Sequence, residues 1–118
     1  MAATGNRSVH FVHLLAGRWT LSVLDELGDG GRRYQDLQDR LDGIAHKVLT
    51  ETLRRAERDG LIARRLDSAH IDTATLYELT PLGRSLDVPL AAFEYWVEKN
   101  WEQLEAARRD WDRRAGRP

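Results

Sequence analysis

The sequence contains no cysteine, so no disulfide framework, thiolate nucleophile or thiol-based sensor can be built from it. No apolar run approaches the roughly 20 residues needed to cross a bilayer. The opening residues MAATGNRS lack the apolar stretch of a secretory signal, and a cytoplasmic location is expected. Neither sign of charge dominates. Lys and Arg number 18 against 19 Asp and Glu, a formal net charge of −1, which argues against a purely electrostatic binder of polyanions. Catalytic signatures are equally scarce: no serine–histidine–carboxylate spacing, apolar carboxylate pair or metal-ligand set occurs, and no enzyme is expected. The glycines of Gly28-Asp-Gly-Gly31 lack the lysine and preceding strand of a phosphate loop, and read as a helix stop. His10 and His13 lie one turn apart, but no nearby carboxylate or cysteine completes a ligand set. No metal and no cofactor is expected.

What is present is a chain of 118 residues, 42% apolar and 31% charged, the balance of one soluble globular domain. A chain this short builds only a modest core, so self-association would help to stabilise it. The most informative stretch is Gly43 to Arg65, GIAHKVLTETLRRAERDGLIARR. Leu49, Leu53 and Ala56 recur at three- and four-residue steps and form one apolar stripe, with Lys47, Thr50, Glu51, Arg54 and Arg58 on other faces. Gly60 stands where a left-handed helix end wants a residue without Cβ, and Leu61-Ile62 begins a strand. From Lys47 to Arg65, six basic residues face Glu51, Glu57 and Asp59, a local excess of three positive charges. A helix packed by one edge, polar on the other and running into a basic strand has the pattern of a DNA-reading helix followed by a wing.

Taken in order, residues 1–7 read as a flexible lead, with Ser8 capping a helix over 8–16 that ends near Gly17. Trp19 to Leu27 forms a second helix, with Trp19, Val23 and Leu27 on one stripe. Tyr34 to Leu41 forms a short third helix, with Tyr34, Leu37 and Leu41 facing inward. The Asp42-Gly43 turn joins it to the fourth helix, starting near Ala45; together these make a helix-turn-helix. Leu61–Leu66 and Thr75–Leu79 make a hairpin around an eight-residue loop, Asp67–Ala74. Thr80-Pro81 opens the last helix, spanning 81–113, with Pro89 predicted to kink or break it. Leu90, Val97, Leu104 and Trp111 then repeat every seven residues, interleaved with Leu86, Phe93, Asn100 and Ala107, a heptad seam with one polar member. The seam predicts a dimerisation helix; the alternative is packing back onto the same domain.

The chain resembles winged helix-turn-helix transcriptional regulators, most of all the HxlR type. The likeness rests on Gly17-Arg-Trp-Thr-Leu21, Arg33-Tyr-Gln-Asp-Leu37, Gly43-Ile44, Leu49-Thr50, Leu53, Asp59-Gly-Leu61 and Tyr77-Glu-Leu-Thr-Pro-Leu-Gly83, in that order along the chain. The resemblance implies a mainly α fold with a small β-hairpin, the winged core over 18–79 lying between N- and C-terminal dimerisation helices. It further implies a homodimer on a two-fold operator of double-stranded DNA. In that setting His46, Lys47, Thr50 and Glu51 are expected at base edges, and Arg54, Arg55, Arg58, Arg64 and Arg65 at phosphates.

Three departures from the family pattern stand out. The cysteine that family members usually carry near the first helix is missing from Arg7-Ser-Val-His10. Ala45 cannot cap the reader helix, leaving that task to Asp42 or backbone groups. Ala74 stands where the wing usually has an arginine; with Asp67 and Asp72 in the loop, His70 joins Arg64 and Arg65 as the wing's basic groups. Trp19, Phe93, Trp96 and Trp101 are candidates to line a small-molecule effector pocket; a dimer core is the competing reading for such aromatic residues. A winged helix that binds protein in place of DNA is the alternative function.

Overall fold

The computed structural model describes residues 2–66 and 75–116. Its contacts divide the chain into two compact units, Met1–Arg84 and Ser85–Pro118.

The first unit begins with α1 (Ala2–Leu15) and α2 (Thr20–Glu26). Helix α1 starts six residues before Ser8, so Ser8 lies inside it and caps nothing, and the expected flexible lead is helical. No proline interrupts Ala2–Arg7, and an N-cap serine stops a helix only where the backbone turns extended. Helix α2 ends at the glycine cluster as expected, and two arginines donate to carbonyls at and just past its end. Arg32 Nε donates to Glu26 O at 2.7 Å and Arg84 Nη1 to Gly28 O at 3.3 Å, cations placed where the helix dipole favours them.

Next come β1 (Arg32–Arg33), α3 (Tyr34–Arg40) and α4 (His46–Arg58), then β2 (Ile62–Leu66), β3 (Thr75–Leu79) and α5 (Pro81–Arg84). The sheet order is β1-β3-β2, all antiparallel, with Ile62 opposite Leu79 and Arg64 opposite Tyr77. Its third strand, β1, is absent from the sequence reading: two arginines show neither alternation nor β-branching, and only pairing with Leu76 and Tyr77 makes them a strand.

The buried apolar residues are Val23 and Leu24 of α2 with Leu27 just past its end, Leu37 of α3, Leu41 and Ile44 between α3 and α4, Leu49, Leu53 and Ala56 along α4, and Leu61 and Ile62. Gly60 has φ +76°, the left-handed turn that ends α4 and sends Leu61 and Ile62 inward. Thr80 fastens this turn from the far side of the hairpin. Its hydroxyl donates to Gly60 O at 2.5 Å and accepts from Gly83 N at 3.0 Å, while its own amide donates to Leu61 O at 3.0 Å. Thr80 thus caps α5 with Pro81 at the first helical position, as the sequence suggests.

The second unit is a single long helix, α6 (Asp87–Arg114), with no buried residue. The expected helix over 81–113 is therefore two helices, and the break falls at Ser85-Leu86, not at Pro89. Pro89 is the third residue of α6, where backbone amides have no intrahelical partner, so its missing N–H costs no bond.

Candidate nucleic-acid interface

Helix α4 turns its apolar stripe to the core. Leu49, Thr52, Leu53 and Ala56 are buried, while His46, Lys47, Val48, Glu51, Arg54, Arg55 and Arg58 are exposed. At 3.6 residues per turn, the outward residues fall into three strips. Lys47, Glu51, Arg54 and Arg58 run along the middle. Val48 and Arg55 flank them on one edge, and His46, Thr50 and Glu57 on the other.

The two edges differ sharply. On the second, every member is held by a neighbouring element. The Tyr34 hydroxyl at the start of α3 lies 2.8 Å from His46 Nδ1 and 3.0 Å from Thr50 Oγ1, and donates to His46 O at 2.9 Å. Glu57 Oε2 accepts from Arg64 Nε at 3.0 Å, tying α4 to β2. The middle strip and the first edge have no such ties: among the described residues, Lys47, Glu51, Arg54, Arg55 and Arg58 take part in no ion pair. The strip therefore presents several cations against the single carboxylate of Glu51, a field suited to phosphate and to acceptor-rich base edges.

The expected site residues thus divide by environment. Lys47, Glu51, Arg54, Arg55 and Arg58 share one open face. His46 and Thr50 border that face but are bound to Tyr34. Arg64 is paired with Glu57, and Arg65 donates to Glu78 Oε1 on β3 at 3.0 Å. These are surface pairs, weak enough that a phosphate can compete for either arginine. Tyr77, opposite Arg64 in the sheet, has its phenol pKa raised chiefly by burial, with the Arg64 charge working against that shift. His70, Asp67, Asp72 and Ala74 lie outside the described residues. Ala45 takes the N-cap position of α4 in an extended conformation and no side chain caps the helix, so Asp42 does not fill the role foreseen for it.

Of the effector candidates, Trp19 belongs to the first unit, with the Arg18 guanidinium 5.3 Å from its ring centre. Phe93, Trp96 and Trp101 lie on α6 and are 62%, 53% and 43% exposed. Trp96 and Trp101 fall on opposite borders of the heptad seam, so they flank it and do not converge on one point along the helix. The Tyr34 contacts are what sequence reasoning misses. No local pattern links residues twelve and sixteen positions apart; the turn between α3 and α4 brings them together.

The sequence pattern of the HxlR-like helix-turn-helix family matches residues 14–105. The chain belongs to this family. It is similar to the HTH-type transcriptional regulator YtfH of Escherichia coli, 32% identical over 94 residues that cover 80% of this chain and 74% of that protein. Among solved structures it is similar to a transcriptional regulator of the MarR family from Enterococcus faecalis, with a TM-score of 0.73 and 35% identity over 86% of this chain and 92% of that one. It also resembles the redox regulator HypR in its reduced form, with a TM-score of 0.71 and 27% identity, covering 84% and 98% of the two chains. The protein is accordingly a transcriptional regulator of the helix-turn-helix type with a winged-helix fold, and not an enzyme. No helix among the described residues is long and apolar enough to cross a membrane.

Proposed function

We propose that the protein binds double-stranded operator DNA sequence-specifically, as a homodimer, in the cytoplasm. The open face of α4 is the observation that carries this reading: Lys47, Arg54, Arg55 and Arg58 are exposed and, among the described residues, without ion-pair partners, over a buried Leu49–Leu53–Ala56 stripe. A packed inner edge gives the helix a fixed orientation, and the outer face is shaped for the major groove. Lys47 and Glu51, nearest the helix start, meet base edges. Glu51 repels phosphate and accepts from cytosine N4, so it belongs at a base. Arg54, Arg55 and Arg58 meet the backbone, and Arg64 and Arg65 exchange Glu57 and Glu78 for phosphates.

Dimerisation is assigned to the N-terminal helix and the 81–113 region, and above all to α6. A helix of 28 residues with no buried residue leaves its seam of Leu90, Val97, Leu104 and Trp111 to be covered by a second copy. Phe93 on the seam and Trp96 and Trp101 on its two borders are exposed, and an apolar small-molecule effector held between the two copies is a second reading. Thiol chemistry has no part in it, since the chain has no cysteine.

The experiment is a gel-shift assay on the intergenic DNA beside the protein's own gene, run against a scrambled duplex of equal length. A retarded complex on the first at concentrations that leave the second unbound supports DNA reading. Equal, weak retardation of both supports the protein-binding alternative.

A further inference from the structure

The first turn of α4 has no side-chain cap, yet side chains that read bases need their backbone fixed to a fraction of an ångström. The structure supplies a different restraint. Tyr34, the first residue of α3, places one hydroxyl 2.8 Å from the His46 ring nitrogen, 2.9 Å from the His46 carbonyl and 3.0 Å from the Thr50 hydroxyl. A phenol hydroxyl has one proton to give and accepts through its lone pairs, so these three neighbours use its bonding capacity. They belong to the first and fifth residues of α4, one turn apart, and Lys47 lies between them in sequence. The two rings also pack, with centroids 5.1 Å apart and planes tilted by 59°.

We propose that Tyr34 is a specificity-determining positioning residue. Its hydroxyl fixes the entry of α4 and ties down His46 and Thr50, so that base discrimination passes to Lys47 and Glu51. This role rests on the DNA reading proposed above. Leverage is the physical reason. Leu49 at the end of the first turn of α4 and Ile44 just before the helix pack into the core, but the outward side of that turn carries the exposed His46, Lys47 and Val48 and has no apolar anchor. A hydrogen-bonded strut from α3 to both ends of the turn supplies a polar one. His46 and Thr50 then act through Tyr34, and their own preferred contacts are to the protein.

The test uses the full chain. A cognate duplex is obtained by selection from a random duplex pool with the wild-type protein. Affinities for that duplex and for a scrambled one are then measured for wild type, Tyr34→Phe, Thr50→Val and the double variant, with the melting temperature of each. Phenylalanine keeps the ring packing and deletes only the hydrogen bonds. Tyr34→Phe should lose about five- to tenfold on the selected duplex, change by less than about twofold on the scrambled one, and leave the melting temperature nearly unchanged. The double variant should bind no worse than Tyr34→Phe alone, since both single changes open the same strut. An unchanged ratio of selected to scrambled affinity in Tyr34→Phe overturns the proposal while leaving DNA reading intact. Equal losses on both duplexes with a lowered melting temperature also overturn it, making Tyr34 a purely structural residue. If the wild type enriches no sequence at all, the DNA-reading role fails, and the role of Tyr34 falls with it.

Discussion

A Cβ built on Gly83 would overlap the Leu61 carbonyl oxygen, and both groups are backbone or fixed to it. The same carbonyl accepts the Thr80 amide, so it cannot swing away without breaking that bond. Gly83→Ala should therefore destabilise the fold by about 1–3 kcal/mol or more, as other forced overpacking does, read as a lower urea midpoint. Arg64 is the opposite case. It is exposed and held at the surface by Glu57, so Arg64→Ala should change stability by less than about 1 kcal/mol. Its effect should fall on DNA: weaker binding to cognate and random duplexes alike, with the salt slope reduced by about one because one phosphate is no longer neutralised. Thermal unfolding and a salt titration on the same two samples separate the cases.

At the scale of elements, α4 is the most legible part of the sequence, because its limits are set locally. The 3.6-residue apolar period fixes its buried face, and Gly60 fixes its end through a backbone angle that only glycine adopts cheaply. Strand β3 is legible for a similar reason, a β-rich run bounded by an N-cap threonine and a proline. What stays hidden depends on partners. Strand β1 exists only by pairing with β3, and the Tyr34 contacts only by the crossing of α3 and α4. Proline interrupts helices, which points to a break at Pro89, but a proline in a first turn interrupts nothing. The exposed face of α4 is legible as chemistry, though not the division of its edges, since Glu57 and Arg64 read as charges and not as a pair. The packing of α4 gives a further expectation. Leu53→Ala, at a site 2% exposed, should cost about 2–5 kcal/mol and weaken binding to every DNA sequence through loss of folded protein. Chemical denaturation monitored by circular dichroism reads it directly.

At the scale of the whole molecule, the proposed dimer would join one reader helix per chain in a two-fold assembly. Placing a charge in the seam with Leu104→Glu should shift sedimentation velocity from a dimer to a monomer while the circular dichroism of the first unit's fold persists. A variant that still sediments as a dimer would remove α6 from the interface. In the dimer, half-site centres should lie about 34–36 Å apart, or a multiple of that. The central claim is that the open face of α4 reads base sequence. Lys47 tests it most directly, being exposed, close to the helix start and, among the described residues, without an ion-pair partner. The measurement is a titration of affinity against salt for wild type and Lys47→Ala, on cognate and scrambled duplexes. Base reading predicts a loss of about 1–3 kcal/mol on the cognate duplex and little change on the scrambled one. An equal loss on both duplexes, with the salt slope lowered by about one, would make Lys47 a phosphate ligand and contradict the reading.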